Sequence, residues 1–428
     1  MDQKKKKPSL QDETDAWVVM QIKIADKTKG SDRLGIGLFL AMIAIFGALI
    51  LILPDKTFSE QENRVLQTAP KLQSNFEGSF AERVKAGKFL DRYFSGDFAE
   101  DVSDYYADQF PARDVFVGIK GAFEIAMLKG ENNDVVLGKN QYLLTRMDKA
   151  ATENIEKNFD AASAFAAYME TEGVPVTFAA AGRVIDVMRG SLPALFPVDT
   201  LDKPWDALTA LCETDGSSME MLNLLVPLRA HADRGEDVMY RTDHHWTTYG
   251  AYLAYTEIMK AWDVEPAAKD AFTVETVSNA FYGTAWRNAG MKWIAPDTME
   301  YYRYPGDEDY TTTIHDNNTS FAGFYDRSFL EVTDQYSSFI SGNHAYVTVE
   351  RNGDEPRERL MLIKDSFGHS LVPFLAYHYD LEIVDMRYYK KSVAELVRET
   401  GCSRVLILNN MDSLTSAASL GMLRMGIE

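Results

Sequence analysis

The chain has 428 residues, 46% of them hydrophobic and 12% aromatic, which is enough for a substantial core and excludes a disordered chain. Formal net charge is −20; residues 1–33 hold eight Lys/Arg against six Asp/Glu, so the remainder carries about −22. A body this acidic argues against nucleic acid, whose binding runs on phosphate neutralisation, and favours a neutral polymer over a strongly anionic one as substrate.

Lys4 to Lys7 form a basic run near the start, and Lys23, Lys27, Lys29 and Arg33 continue the bias. Leu34 to Leu53 then runs without a charge (LGIGLFLAMIAIFGALILIL), closed by Pro54 and Asp55. At about 1.5 Å per residue it spans roughly 30 Å, the hydrocarbon thickness of a bilayer. A buried core helix of this length would show a polar side, and this one shows none. A cleaved signal peptide is the rival reading, but the apolar run is too long and too far from the start, and Pro54-Asp55 is a poor cleavage site. The positive-inside rule places residues 1–33 in the cytoplasm and everything after Pro54 outside. Residues 54–145 read as a helical juxtamembrane region, with amphipathic spacing at Ala81–Phe94 and Phe98–Tyr106 and a break at Pro111.

Residues 146–428 alternate helix and strand. Ile155, Phe159, Ala162, Phe165, Ala166 and Met169 mark one helix face, stopped at Glu172-Gly173. Val174–Ala181 reads as a buried strand. A helical stretch over 218–232 leads to a short strand at Val238–Tyr240, and a second helical pattern runs from Tyr252 to Trp262. Cysteine is sparse: Cys212 and Cys402 form one disulfide or remain two free thiols. Residues 265–340 read as an irregular insertion or lid. Two alternating runs around Asn352-Gly353 predict a hairpin. Beyond it come strand Leu360–Ile363, helix Gly368–Tyr377, strand Leu381–Asp385, helix Val393–Thr400 and strand Arg404–Asn409. Successive units of this kind give an α/β fold, a parallel sheet with flanking helices.

Two strand–helix junctions carry chemistry. In Arg241-Thr242-Asp243-His244-His245-Trp246, Asp243 and His245 leave the same face of an extended chain. The carboxylate can hold one ring nitrogen while the other faces a third residue. Ser366, in Lys364-Asp365-Ser366-Phe367-Gly368, follows a strand and opens a helix, and the N–H groups of Phe367 and Gly368 are candidate oxyanion donors. Ligands bind at the carboxyl ends of strands in open parallel sheets, where both junctions fall. The relay expected is hydroxyl, imidazole, carboxylate. Each part also has a plainer reading: serine as a helix cap, and Asp243 as a cap or a member of a polar cluster. A metal site from Asp243, His244, His245, Asp365 and His369 lacks HxxxH or HExxH spacing, so no metal and no cofactor is expected. Asn409 and Asn410, after the last strand, line the same edge or cap the final helix, and Asp385 and Arg387 form an ion pair or touch substrate.

The Asp-His-His-Trp motif at 243–246 resembles the bacterial DHHW family and, more broadly, the SGNH-hydrolase-like domain of alginate O-acetyltransferases. Further blocks carry the resemblance: Phe58-Ser59-Glu60, Glu62-Asn63-Arg64, Leu66 with Pro70, Tyr105 to Arg113, Phe281-Tyr282-Gly283-Thr284, Asp297 to Tyr302, and Lys364 to Gly368. The resemblance implies an SGNH-like α/β fold with Asp243, His245 and Ser366 as the triad and His244 at a variable position. Gly283 and Arg183 join Phe367, Gly368 and Asn409 as candidate oxyanion or substrate-binding residues; no motif settles the second oxyanion donor, and Ala181-Gly182-Arg183 departs from the Pro-containing segment common in relatives. The resemblance also implies a multi-pass MBOAT-type membrane acyltransferase as partner and an exported polysaccharide as acceptor. The function expected is a membrane-anchored, extracytoplasmic serine O-acetyltransferase or acetylesterase. The competing expectation is a non-catalytic glycan-binding or scaffold component, with Trp286, Trp293, Tyr301, Tyr302 and Tyr304 stacking on sugar rings.

Overall fold

The computed structural model describes residues 32–59, 64–70, 91–127, 129–146, 152–194, 196–198 and 200–427. The basic residues Lys4–Lys7, Lys23, Lys27 and Lys29, and most of the Ala81–Phe94 stretch, lie outside the described residues. The chain divides into two compact units at Phe116.

In the first unit the apolar stretch is a helix, α1 (Asp32–Ile52), of 21 residues with mean hydropathy 2.7, long and apolar enough to cross a bilayer. Leu34, Leu38, Phe39, Leu40 and Ile45 are all exposed on it. Strands β1 (Phe58–Ser59) and β2 (Arg64–Val65) pair antiparallel. Helix α2 (Asp97–Asp108) ends just before Pro111, as the sequence pattern requires.

The second unit holds the α/β body, and it begins earlier than residue 146. Three short strands, β3 (Glu131–Asn132), β4 (Val135–Leu137) and β5 (Leu143–Thr145), form a small sheet. Val135 and Leu143 pack with Ala285, Ala289, Met291 and Ile294 into a core of their own. The large sheet has eight strands. In chain order these are β6 (Val176–Ala181), β7 (Glu220–Asn223), β10 (Tyr310–Ile314), β11 (Thr319–Ala322), β12 (Tyr346–Arg351), β13 (Arg359–Lys364), β14 (Asp380–Val384) and β15 (Arg404–Asn410). Their spatial order is β11-β10-β12-β14-β13-β15-β6-β7. The run β14-β13-β15-β6-β7 is parallel throughout. Its central strands, such as Leu360-Met361-Leu362-Ile363, are continuously apolar because helices cover both faces. The expected α/β fold, a largely parallel sheet with flanking helices, is therefore the fold of this unit.

Helix α4 (Thr152–Thr171) buries the face the spacing predicts and stops at Gly173 in a left-handed conformation. The helix over Val393–Thr400 is capped by Ser392, which accepts the Glu395 N–H at 3.1 Å.

Four expectations fail. The segment expected to be helical over 218–232 is strand β7 followed by a helix over Leu225–Asp233. Val238–Tyr240 makes only one bridge, Met239 to Trp246, rather than a strand. The Asn352-Gly353 hairpin does not form: β14 lies between β12 and β13, antiparallel to the first and parallel to the second. The turn signal is local, whereas the apolar centre of β13, Leu360–Ile363, gains more from pairing on both sides in the sheet centre. The insertion at 265–340 is also more regular than expected. It contains the antiparallel pair β8 (Thr273–Phe281) and β9 (Asp297–Arg303), and its β10–β11 hairpin extends the large sheet.

Candidate active site

The carboxyl end of β13 runs through Lys364 and Asp365 into a tight helical turn over Ser366–Leu371. Asp365 caps that turn. Its Oδ1 accepts the Phe367 N–H at 2.9 Å and its Oδ2 accepts the Asn410 N–H at 2.7 Å, tying the serine turn to the end of β15. Ser366 is thereby held out at the strand end.

Residues 241–246 approach from a tight loop between Met239 and helix α7 (Thr248–Ala261). Asp297 secures the entry: it accepts the Arg241 and Thr242 backbone N–H groups at 3.1 and 2.8 Å and the Thr242 hydroxyl at 2.6 Å. The exit is pinned by Trp246, fully buried, whose indole N–H lies 3.1 Å from the Phe367 carbonyl and 2.9 Å from Ser370 Oγ. The same indole therefore fixes the loop to the serine turn.

Between these anchors the three side chains meet. Ser366 Oγ is 2.7 Å from His245 Nε2, and His245 Nδ1 is 2.9 Å from Asp243 Oδ2. A carboxylate only accepts, so Nδ1 carries the proton and Nε2 presents its lone pair to the hydroxyl. Asp243 Oδ1 accepts the His244 N–H (2.8 Å), the Thr284 N–H (3.1 Å) and the Thr284 hydroxyl (2.8 Å). The His245 ring stacks on Tyr336 at 3.8 Å and 9°, and the Tyr336 hydroxyl donates to the Ser366 carbonyl at 3.2 Å.

Electrostatics divide the two histidines. Burial alone would raise the Asp243 carboxyl, but His244, His245 and their hydrogen bonds hold it well below the usual carboxylate range. Burial and the neighbouring His244 push His245 down to about 4, against the pull of Asp243. For His244, burial acts downward, but the Asp243 charge and hydrogen bond outweigh it and raise the group. His245 is thus a neutral base at neutral pH. An imidazole of this kind can take the Ser366 proton as the oxygen attacks an acyl carbon.

Several expected site residues have other partners. The Phe367 N–H is taken by Asp365 Oδ1, and the Gly368 N–H by the Asp365 carbonyl at 3.1 Å, so neither is a free oxyanion donor. The Ser366 N–H has no acceptor among the described residues. Gly283 donates to Thr242 Oγ1 at 3.1 Å, and a Cβ there would stand 2.1 Å from Asp243 Cβ. It is a glycine because Asp243 lies against it. Arg183 is buried in an ion pair with Asp186 at 2.7 Å, and turns its guanidinium away from free solvent. Asn409 is buried with its Oδ1 unbonded among the described residues. Asp385 pairs with Arg387 at 2.6 Å. Of the five metal candidates, only Asp243, His244 and His245 bring donor atoms within 4.8 Å of one another, and both His245 nitrogens are already engaged. Cys212 and Cys402 are free thiols. Tyr301, Tyr302 and Tyr304 are core residues, while Trp293 is exposed.

Sequence reasoning missed Tyr336, Thr284 and Asp412. Asp412 follows Asn410 at the end of β15. Burial raises its carboxyl to about 6, against Arg183 and His244, and its Oδ1 has no hydrogen-bond donor among the described residues. A cleft of about 740 Å³ is lined by Tyr142, Tyr240, Arg241, Tyr249 and Tyr302 among others, and includes none of the three hydrogen-bonded residues.

Residues 223–384, which contain the Asp-His-His-Trp loop and the serine turn, match the family model described as DHHW protein. No curated protein matches the chain. Among solved structures, a DHHW family protein from Eubacterium siraeum is similar at 20% identity and a TM-score of 0.56, covering 69% of this chain and 96% of that one. PatB1 from Bacillus cereus, in a structure with a sulfonyl adduct, is similar at 17% identity and a TM-score of 0.55, covering 67% and 96%. The O-acetyltransferase domain of Pseudomonas putida AlgJ aligns at 15% identity and a TM-score of 0.42, covering 66% and 92%. At these identities the likeness is one of fold.

Proposed function

We propose that this protein is a membrane-anchored serine O-acetyltransferase or acetylesterase acting outside the cell on an exported polysaccharide. One observation carries the reading: the continuous hydrogen-bonded run Ser366 Oγ–His245–Asp243, at 2.7 and 2.9 Å, at the carboxyl edge of the sheet. His245 Nε2 takes the hydroxyl proton as Ser366 Oγ bonds to the acetyl carbon. The C–O bond to the leaving alcohol breaks and that alcohol leaves with the proton from His245. The acetyl-serine then passes its acyl group to a sugar hydroxyl or to water by the same steps in reverse. Asp243 keeps the proton on Nδ1 and supports the imidazolium. In this reading the Ser366 N–H serves as oxyanion donor, in place of Phe367 and Gly368.

Helix α1 supplies the anchor in this reading, with its amino end inside. The acyl supplier is an MBOAT-type membrane acyltransferase, for which the support is the family resemblance alone. Ser366→Ala should abolish turnover of 4-nitrophenyl acetate while leaving the unfolding temperature unchanged. A sulfonyl fluoride should label Ser366 in the wild type alone. Undiminished turnover in Ser366→Ala, or labelling at another residue, rejects the assignment. Adding an acceptor oligosaccharide and following its mass separates transfer from hydrolysis.

A second reading, a non-catalytic glycan binder, draws support from the 740 Å³ cleft, whose lining of Tyr142, Tyr240 and Tyr302 with the Asp237 and Glu300 carboxylates combines aromatic and acceptor groups. It requires oligosaccharide binding with no acetyl turnover at any pH.

A further inference from the structure

Two buried polar groups beside the serine turn have nothing to bond with. Lys364 ends β13 and is 3% exposed; its Nζ has no hydrogen-bond partner among the described residues. The carboxylate facing it, Asp385 Oδ2, stands at 3.8 Å, beyond hydrogen-bond reach. Asn409 ends β15 and is 4% exposed, and its Oδ1 likewise has no donor. Both side chains line one cavity of about 90 Å³, walled also by Asp385, Arg387, Ser413 and Ser416. The chain makes room for this lysine. A Cβ at Gly368 would stand 2.7 Å from Lys364 Cβ and 2.9 Å from its Cγ.

A buried donor or acceptor left unpaired costs about 1–3 kcal/mol, more for a charged one. A leucine at the end of β13 would avoid that penalty, as its neighbours Leu362 and Ile363 do. The cavity therefore holds polar groups that await a partner. Their chemistry defines it. An ammonium has three donors and no acceptor, and Ser413 and Ser416 add hydroxyls. Asp385 is already paired with Arg387 at 2.6 and 2.9 Å. Lys364, Arg387 and Asp385 together leave one positive charge. The volume gives room for roughly six water positions, or one ion of four or five heavy atoms with a water beside it.

We propose that this cavity is a binding site for a small anion of the carboxylate or phosphate class, bound through the Lys364 ammonium and the serine hydroxyls, with a water that donates both to the anion and to Asn409 Oδ1. Burial pushes the unliganded lysine down to about 8, and an anion opposite it restores the ammonium. The inference is independent of the chemistry at Ser366.

The test is thermal unfolding of the full chain in detergent, titrated with sodium acetate, sodium phosphate or glycerol at constant ionic strength. A saturable rise of a few degrees with an anion, absent with glycerol, is expected. A rise with acetate alone identifies a carboxylate site, and one with phosphate alone an inorganic-anion site. Lys364→Met and the isosteric Asn409→Asp should each abolish the saturable rise. If Lys364→Met does not fold, Asn409→Asp decides. No saturable rise in the wild type, or the same rise in Asn409→Asp, overturns the inference.

Discussion

Gly283→Ala is the most demanding test of the site's geometry, because it alters no group that touches substrate. The added methyl would stand 2.1 Å from Asp243 Cβ, 2.4 Å from its Cγ and 2.6 Å from its Cα. Ordinary contact begins at 3.4 Å, so the shortfall exceeds an ångström. Asp243 cannot simply recede, since Thr284 and His244 hold its Oδ1 at 2.8 to 3.1 Å. Either the carboxylate or the helix start at Gly283 must move, and the 2.9 Å link to His245 goes with it. Overpacking of this kind costs about 1–3 kcal/mol, and an imidazole N–H left without its acceptor about as much again. A misplacement of about 1 Å in a positioned group lowers turnover roughly 100-fold. Gly283→Ala should therefore lose about two orders of magnitude in kcat/KM for 4-nitrophenyl acetate and several degrees of unfolding temperature. Ser366→Ala, the control, should lose turnover alone. Turnover within threefold of wild type, with an unchanged unfolding temperature, would refute the packing of Gly283 on Asp243.

The acid limb of kcat/KM should fall near pH 4 rather than near 6.5, because His245 is held down to about 4 and works only when neutral. His244→Gln removes a charge that lowers it, so the limb should move to higher pH; an unmoved limb would reject the coupling. The stability curve carries the same sign: the unfolded chain binds the His245 proton first, so stability should decline as pH falls from about 6.5 towards 4. Tyr336→Phe keeps the ring stacked on His245 but removes the hydroxyl that holds the Ser366 carbonyl and Ser370. It should lower stability by about 1 kcal/mol in a denaturant titration and kcat several-fold, with KM unchanged. Asp365→Asn turns an amide towards the Phe367 or Asn410 N–H and should destabilise by about 1–3 kcal/mol, read as a lower denaturant midpoint.

What the sequence reveals about this molecule follows the range of its signals. The apolar run into Ser366 and the i, i+2 spacing of Asp243 and His245 are local, and both describe how those side chains are presented. The cap that removes Phe367 from the oxyanion site was also local: Asp365 two residues before Phe367 is an N-cap pattern, and reading it would have directed attention to the Ser366 N–H. Tyr336 reaches the site from a segment without periodicity, so no pattern at its own position points to His245; Thr284 stands in the Phe281-Tyr282-Gly283-Thr284 block, but nothing in that block alone names Asp243 as its partner. The Asn352-Gly353 signal shows the reverse error. It specifies a turn correctly in composition but says nothing of β14, which arrives later in the chain and takes the place between the two strands.

The first histidine of the motif, His244, has a physical task that spacing alone could not assign. Asp243 faces two imidazoles, with Oδ1 3.0 Å from His244 Nδ1 and Oδ2 2.9 Å from His245 Nδ1. The His244 side chain is 34% exposed and the His245 side chain 6%. A cation at 244 keeps part of its water, whereas one at 245 would lose nearly all of it. Asp243 therefore raises the proton affinity of His244, whereas His245 is held down. With the ring centroids 3.8 Å apart, a charge on His244 opposes a proton on His245. Dividing the task between two rings leaves His245 Nε2 unprotonated at neutral pH while Asp243 stays ionised. Position 244, outside the hydrogen-bonded run of three, thereby sets the protonation state on which that run depends.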